Sequence, residues 1–264
     1  MKRFVYQSSC LNTERGMIII MFDTNVPLYA VMILTSLIAN IIVVVVLSRK
    51  YSFSKNEIIC LLLYENIGIV GGAKVLTFLQ NYRALDGNFD FLTLGFTAYG
   101  AVIGAILFLV IFCFQFKKSF KEMFYVFMPS IPLVYAIGKI GCFLAGCCFG
   151  VEYSGIGSVT YQYSLAAPPN IRFFPVQLVE TICFLGIFVF MMIIHKRNQF
   201  DVAKVGVLFI LCGLAKFFLD FMRHRHIEQV FSLNQMISVA FIIIGLIMAL
   251  YCRTKRESRR TPAA

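Results

Sequence analysis

Gly138-Lys139-Ile140-Gly141-Cys142-Phe143-Leu144-Ala145-Gly146-Cys147-Cys148-Phe149-Gly150 closes a long apolar run, yet it carries four glycines, three cysteines and a lysine. A helix that merely crosses a membrane does not end this way. Glycine lets backbone approach backbone or a ligand, and Gly146 to Gly150 has the small-xxx-small spacing of tight helix contacts. Lys139 stands where lipid alone tolerates a charge only at a cost. Two readings fit. One is a glycine-rich helix contact with Lys139 snorkelling outward. The other is a site that holds an anionic group at a membrane interface.

The same apolar character extends in both directions from this stretch. The chain of 264 residues is 59% hydrophobic and 14% charged, with a mean hydropathy of +0.82, far from the quarter-charged makeup of soluble domains. Seven apolar runs, roughly 26–47, 57–79, 91–114, 124–146, 175–194, 204–222 and 234–251, are each long enough to cross about 30 Å of hydrocarbon. The expected fold is an all-α polytopic membrane protein with seven transmembrane helices. A mixed segment 1–25 precedes the 26–251 domain, and a basic tail 252–264 follows it.

The net charge of +11 does not indicate nucleic acid, because the basic residues cluster in the short links and so report topology. Arg49, Lys50 and Lys55, then Lys117, Lys118 and Lys121, then Lys196, Arg197 and Lys204, mark one side. Arg253, Lys255, Arg256, Arg259 and Arg260 belong to that side too. The alternate links carry Arg83, Arg172, Arg223 and Arg225. Fourteen against four places the C-terminus in the cytoplasm and the N-terminus outside. The long link 147–174, rich in Gly, Tyr, Ser and Pro, is then expected to form a small extracytoplasmic cap.

Residues 1–25 lack the continuous apolar core of a signal peptide, so Cys10 is not a lipidation site. The change of character at Met17 marks it as an alternative translation start. The nine cysteines (Cys10, Cys60, Cys113, Cys142, Cys147, Cys148, Cys183, Cys212, Cys252) lie mostly inside apolar stretches and do not describe a disulfide framework. No histidine or carboxylate accompanies Cys142, Cys147 and Cys148 in sequence, so no metal and no cofactor is expected.

With this orientation, polar groups from six spans fall at one level. Lys74, Lys139, Lys216 and Asp220 are near the outer ends of their spans. Glu180 and Gln235 follow outer starts, and Tyr99 with Gly100 lies eight or nine residues in. At about 1.5 Å per residue, they sit roughly 5–15 Å below the outer surface. Snorkelling explains Lys74 or Lys216 singly, and Lys216 with Asp220 at i, i+4 can neutralise each other. Together, ionisable groups at one depth indicate a cavity. Three lysines against two carboxylates leave it positive, which suits a phosphate or a phospholipid headgroup. Gly68/Gly72 and Gly100/Gly104 are spaced to let the second and third helices pack closely. Glu65, mid-span, is expected to pair with a neighbouring helix.

Gly138 through Gly150 resembles the Gly-Arg-Ile-Gly-(Asn/Cys)-Phe signature of the phosphatidylglycerol–prolipoprotein diacylglyceryl transferase family. Gly71-Gly72-Ala73-Lys74 is similar to that family's Gly-x-Arg run, and Tyr99-Gly100-Ala101-Val102-Ile103-Gly104 to its His-Gly-Gly-x-x-Gly helix. Pro175-Val176-Gln177-Leu178-Val179-Glu180 resembles Pro-x-Gln-Leu-Tyr-Glu. Lys216 through Arg223 resembles Arg-Phe-x-x-Glu-Phe-x-Arg, and Ser232-Leu233-Asn234-Gln235 resembles the start of the final helix.

The departures are lysine for arginine at 74, 139 and 216, aspartate for glutamate at 220, and tyrosine for histidine at 99. Lysine keeps the charge of arginine but loses its bidentate geometry. None of His195, His224 and His226 stands where the family's third-helix histidine does.

The resemblance implies an enzyme of the bacterial plasma membrane that moves a diacylglyceryl group from phosphatidylglycerol to the lipobox cysteine of a prolipoprotein, with an active site facing the outer leaflet. Its implied partners are phosphatidylglycerol or a similar anionic phospholipid and the prolipoprotein signal peptide. Tyr99, Lys139 and Lys216 are the expected catalytic residues, with the two lysines on the phosphate. Lys74, Gly100, Gly141, Cys142, Gly146, Gln177, Glu180, Asp220, Arg223 and Gln235 are expected to bind substrate. Among these, Asp220 is expected to orient Lys216, and Gln177, Glu180 and Gln235 to meet glycerol hydroxyls. His226 or water would take the thiol proton. The alternative is a divergent relative that binds phospholipid as an accessory protein or modifies another acceptor.

Overall fold

A computed structural model describes residues 18–20, 28–49, 51, 53–81, 96–162, 164, 166–195, 201–223 and 232–258. The elements run β1 (Ile18–Ile20), α1 (Leu28–Ser48), α2 (Lys55–Asn81), α3 (Ala98–Gln115), α4 (Phe120–Phe127), α5 (Ser130–Leu144), β2 (Val159–Tyr161), α6 (Val176–Ile194), α7 (Val202–Asp220) and α8 (Leu233–Ser258). Six of these helices are long and apolar enough to cross a membrane; α4 and α5 pass that test only together, bent by 41° at their break, as a broken span or a re-entrant loop. At most 33% of any of the six spanning windows is buried within the protein. Ile182, Ile193 and Phe114 instead expose most of their side chains. Such a surface is stable against lipid, not against water. The chain is an all-α polytopic membrane protein.

Three expected boundaries shift. The fourth run is two helices, because Pro129 lacks the N–H that would continue the ladder and its ring clashes with the preceding turn. The third helix starts at Ala98, not 91; residues 91–95 lie outside the described residues. The final helix continues past 251 to Ser258.

Two helix starts are closed by reciprocal capping boxes. Ser54 N–H donates to Glu57 at 3.1 Å while Glu57 N–H donates to Ser54 Oγ at 3.3 Å. At α8, Ser232 and Gln235 exchange the same pair of bonds, at 3.2 and 3.1 Å.

The chain divides into two compact units. One comprises Leu37–Ile131 and His195–Asp201, and its centre is the α2–α3 pair. A Cβ on Gly68 would stand 2.6 Å from the Gly104 carbonyl, and one on Gly100 would stand 2.7 Å from Leu76 Cβ. The four glycines therefore let the two backbones touch, as their spacing predicts. Lys74 is buried with its Nζ 4.5 Å from the centre of the Phe96 ring, and does not snorkel. Tyr99 is half-buried at the start of α3, next to the buried Gly100. His195 is buried, 3.1 Å from Tyr51 Oη and stacked on Tyr125. His224 and His226 lie outside the described residues.

Glu65 corrects an expectation. It is fully buried in α2, and neither carboxylate oxygen has a hydrogen-bond partner among the described residues. A buried polar group without a partner costs about 1–3 kcal/mol. Glu65→Leu is therefore expected to raise the thermal unfolding midpoint in detergent. A fall in the midpoint would show that the carboxyl is satisfied.

The second unit comprises Met1–Ser36, Pro132–Ile194 and Val202–Ala264. Here α7 and α8 approach as α2 and α3 do. A Cβ on Gly206 would stand 2.7 Å from the Gly245 carbonyl, and one on Gly213 would stand 2.8 Å from the Ser238 carbonyl. This seam was not expected from the sequence.

The link 147–174 is irregular, with short strand structure. β2 pairs in parallel with β1, and bridges join Glu152 and Val159 to Phe173. Val159, Tyr161, Ala167 and Phe173 form its own apolar cluster, against which Phe143 and Phe149 pack. Gly150 threads between Phe174 and Met222, where a Cβ would meet the Met222 carbonyl at 2.9 Å and the Phe174 carbonyl closer still. This crossing ties the link to the end of α7, because Val151 N–H donates to the Met222 carbonyl at 2.9 Å. Gly146 and Gly150 are thus not a helix–helix contact. Both lie beyond Leu144, and Gly146 has φ +65°.

Candidate active site

The centre of the second unit is one carboxylate surrounded by cations. Val176 opens α6 immediately after Pro175, which fixes the backbone there and puts Glu180 little more than one turn into the helix. The Glu180 side chain is fully buried. Lys139 Nζ of α5 lies 2.8 Å from Oε2, and Lys216 Nζ of α7 lies 3.0 Å from Oε1. Arg223, just past α7, donates from one guanidinium nitrogen to both oxygens, at 2.8 and 3.0 Å. Tyr135 Oη donates to Oε1 at 3.2 Å and accepts from Lys216 Nζ at 2.7 Å. Both lysine ammonium groups stand just over 5 Å from the Tyr135 ring centre, within cation–π range.

Lys139 and Lys216 thus converge on one atom group from separate helices. They neither snorkel apart nor pair within their own helices. Asp220 does not orient Lys216. It accepts from Ser232 Oγ and, at 2.9 Å, from Asn234 Nδ2, and lies 3.8 Å from Arg223 Nε. It therefore anchors the start of α8 and steers the guanidinium. Burial works against the Arg223 charge, and the adjacent Glu180 outweighs it, so its pKa lies above the ordinary arginine value.

Charge decides what such a centre can do. Lys139, Lys216 and Arg223 face Glu180 and Asp220, which leaves one positive charge in excess. Lys216 and Arg223 retain 17% and 15% side-chain exposure, against 8% for Lys139. A monoanionic oxygen group reaching the latter two would find charge-assisted donors already gathered.

A family model covers most of the chain, both units included. That model, described as "Prolipoprotein diacylglyceryl transferase", matches residues 17–251. The chain belongs to this family. It is 28% identical over 232 residues to the phosphatidylglycerol–prolipoprotein diacylglyceryl transferase of Clostridium tetani, covering 86% of this chain and 93% of that one. It is 29% identical over 199 residues to transferase 2 of Clostridium perfringens, covering 73% and 77%. With the Dehalococcoides mccartyi transferase it shares 33% identity over 168 residues, covering 62% and 64%.

In this diacylglyceryl transferase family member, the other expected site residues distribute as follows. Gly141 faces α1, where a Cβ would stand 3.0 Å from Met32 Cβ, so it permits helix packing. Gly146 closes α5, and Cys142 stands one turn before that close. Gln177 is fully buried; its Nε2 donates to the Cys147 carbonyl at 2.9 Å and to Tyr161 Oη at 3.1 Å, while its Oε1 has no partner among the described residues. Gln235 is engaged in the α8 capping box. Lys74, Tyr99 and Gly100 belong to the α2–α3 pair of the other unit.

Tyr135 and the contact of Arg223 with both Glu180 oxygens were missed in the sequence. A signal existed for the first: Tyr135 stands i−4 from Lys139, on the same helix face.

Proposed function

We propose that this chain transfers the diacylglyceryl group of phosphatidylglycerol to the lipobox cysteine thiol that follows a prolipoprotein signal peptide. The observation that carries this reading is the surplus-positive cluster of Lys139, Lys216 and Arg223 on one buried carboxylate. In the reaction the cysteine sulfur attacks the saturated carbon of the glyceryl group. The carbon–oxygen bond to phosphate breaks, and glycerol phosphate departs with the electron pair. The thiol proton passes to water.

What the protein must supply is a cationic grip on the departing phosphate and an environment poor in water. Lys216 and Arg223 meet the phosphate oxygens, and Lys139 adds its field from within. Glu180 holds the three cations together and is not a hydroxyl ligand. The Gln177 Oε1, without a partner among the described residues, accepts from a glycerol hydroxyl. Tyr99, standing where the family has histidine, donates a hydrogen bond to lipid, and Lys74 has a more distant or structural part. The reaction takes place at the outer leaflet of the bacterial plasma membrane, a reading that the charge bias of the links supports.

A second reading rests on lysines standing at arginine positions: phospholipid binding without transfer. One experiment separates the two. Membranes carrying the protein are incubated with a lipobox peptide and labelled phosphatidylglycerol. Label on the peptide cysteine is expected; lipid binding without label would establish the accessory reading. In the same assay Lys216→Met is expected to lower the rate by about 10²-fold or more, the usual effect of removing one charge-stabilising donor. Lys216→Arg is expected to retain most of the rate. A Lys216→Met protein of unchanged rate would remove Lys216 from the phosphate.

A further inference from the structure

The turn that ends α5 gathers three thiols. Gly146 N–H bonds to the Phe143 carbonyl at 3.2 Å and Cys147 N–H to the Cys142 carbonyl at 3.0 Å. These are the paired bonds of a Schellman close with glycine in the left-handed position. That motif brings the side chains at its C3 and C″ positions together, and here they are Cys142 and Cys147. Cys148 then adopts φ +57°, a conformation that a residue with a Cβ rarely takes. The three sulfur atoms consequently lie within 4.8 Å of one another, and all three are free thiols. Ordinary helix closure accounts for Cys142 against Cys147, since cysteine passes for a small apolar residue. It does not account for a third cysteine turned to the same point in a strained conformation.

We propose that Cys142, Cys147 and Cys148 form a three-thiolate site for a divalent thiophilic ion of the Zn²⁺ class, with the fourth position open. Tetrahedral zinc with Zn–S near 2.3 Å sets sulfurs about 3.8 Å apart, so the ligands need close by no more than side-chain rotation. Cys148 is exposed, which gives the ion a path in. Soft thiolate ligands select zinc over magnesium or calcium. The sequence argued against a metal because no histidine or carboxylate is near; the fold brings three thiols together instead. This proposal does not rest on the lipid transfer proposed above, although Cys142 is also among the residues expected to bind substrate.

The test titrates reduced, detergent-purified protein with Co²⁺ under anaerobic conditions. A thiolate-to-cobalt charge-transfer band saturating at one equivalent and displaced by Zn²⁺ is expected. Cys147→Ser should weaken Co²⁺ binding at least tenfold, whereas Cys60→Ser and Cys183→Ser should leave it unchanged. Zn²⁺ should also raise the melting temperature of the wild type and not that of Cys147→Ser. In case the variant does not fold, the wild type decides alone. Zn²⁺ added before a maleimide should shield the three thiols of the 142–148 peptide, read by mass. No band at saturating Co²⁺, a band that survives replacement of all three cysteines by serine, or equal alkylation with and without Zn²⁺ overturns the site.

Discussion

Glu180→Gln is expected to abolish transfer and to destabilise the protein by about 3–5 kcal/mol, the cost of removing one partner from a buried ion cluster. The glutamine fills the same volume, so the loss is electrostatic. Lys139, Lys216 and Arg223 all approach the Glu180 oxygens within 3.0 Å. Deprived of the carboxylate, three like charges face each other in a buried place. The consequence is readable as a lower thermal midpoint in detergent and a smaller monodisperse fraction on size exclusion. A second variant isolates the cause. Glu180→Gln combined with Lys139→Met removes one of the uncompensated charges, and should recover part of the lost stability without recovering transfer, a coupling that a double-mutant cycle measures. A single variant that melts with the wild type would mean that the carboxylate does not hold these cations together.

Gly104→Val is expected to prevent the first unit from folding, with a penalty above about 4 kcal/mol, the range reserved for core overpacking and backbone clash. A Cβ on Gly104 would stand 2.8 Å from Gly72 Cα and nearer still to the Gly68 carbonyl. Both are backbone atoms, so no rotamer change relieves the contact and α2 must move away from α3. In lipid that separation forfeits the close van der Waals packing on which helix association depends. The control lies on the same helix: a Cβ on Gly71 meets nothing within 4 Å, so Gly71→Ala should express and melt normally. Equal behaviour of the two variants would mean that the glycine seam does not hold α2 to α3.

Much of the candidate site was legible in advance because charge in lipid is informative by itself. Lys139, Glu180, Lys216 and Arg223 stood out as ionisable residues in or beside apolar runs, and a buried charge must find a partner. The choice of partners was not legible. Lys216 and Asp220 satisfy the i, i+4 rule on one helix, yet Lys216 pairs with Glu180 of α6 and Asp220 with the start of α8. Local spacing lists the bonds a helix can make, and a neighbouring helix at 2.8–3.0 Å offers better ones. Gln235 shows the same limit from the other side. Its depth suggested a ligand, whereas Ser232-x-x-Gln235 is a capping box that the sequence pattern also contains.

The sequence by itself determined that this chain crosses a membrane several times, where most spans begin and end, and which family it belongs to. Hydrocarbon thickness, the penalty for unpaired backbone and the cost of charge are properties of composition and length. Only the tertiary structure decided that Glu180 is the hub of three cations, that Gly150 is a crossing point of three chain segments, that Glu65 lies buried without a partner among the described residues, and that three cysteines share one corner. The first three depend on the distance between segments far apart in the chain, and the fourth on the turn that ends α5. No periodicity encodes that distance, because it is set by which helix faces pack together.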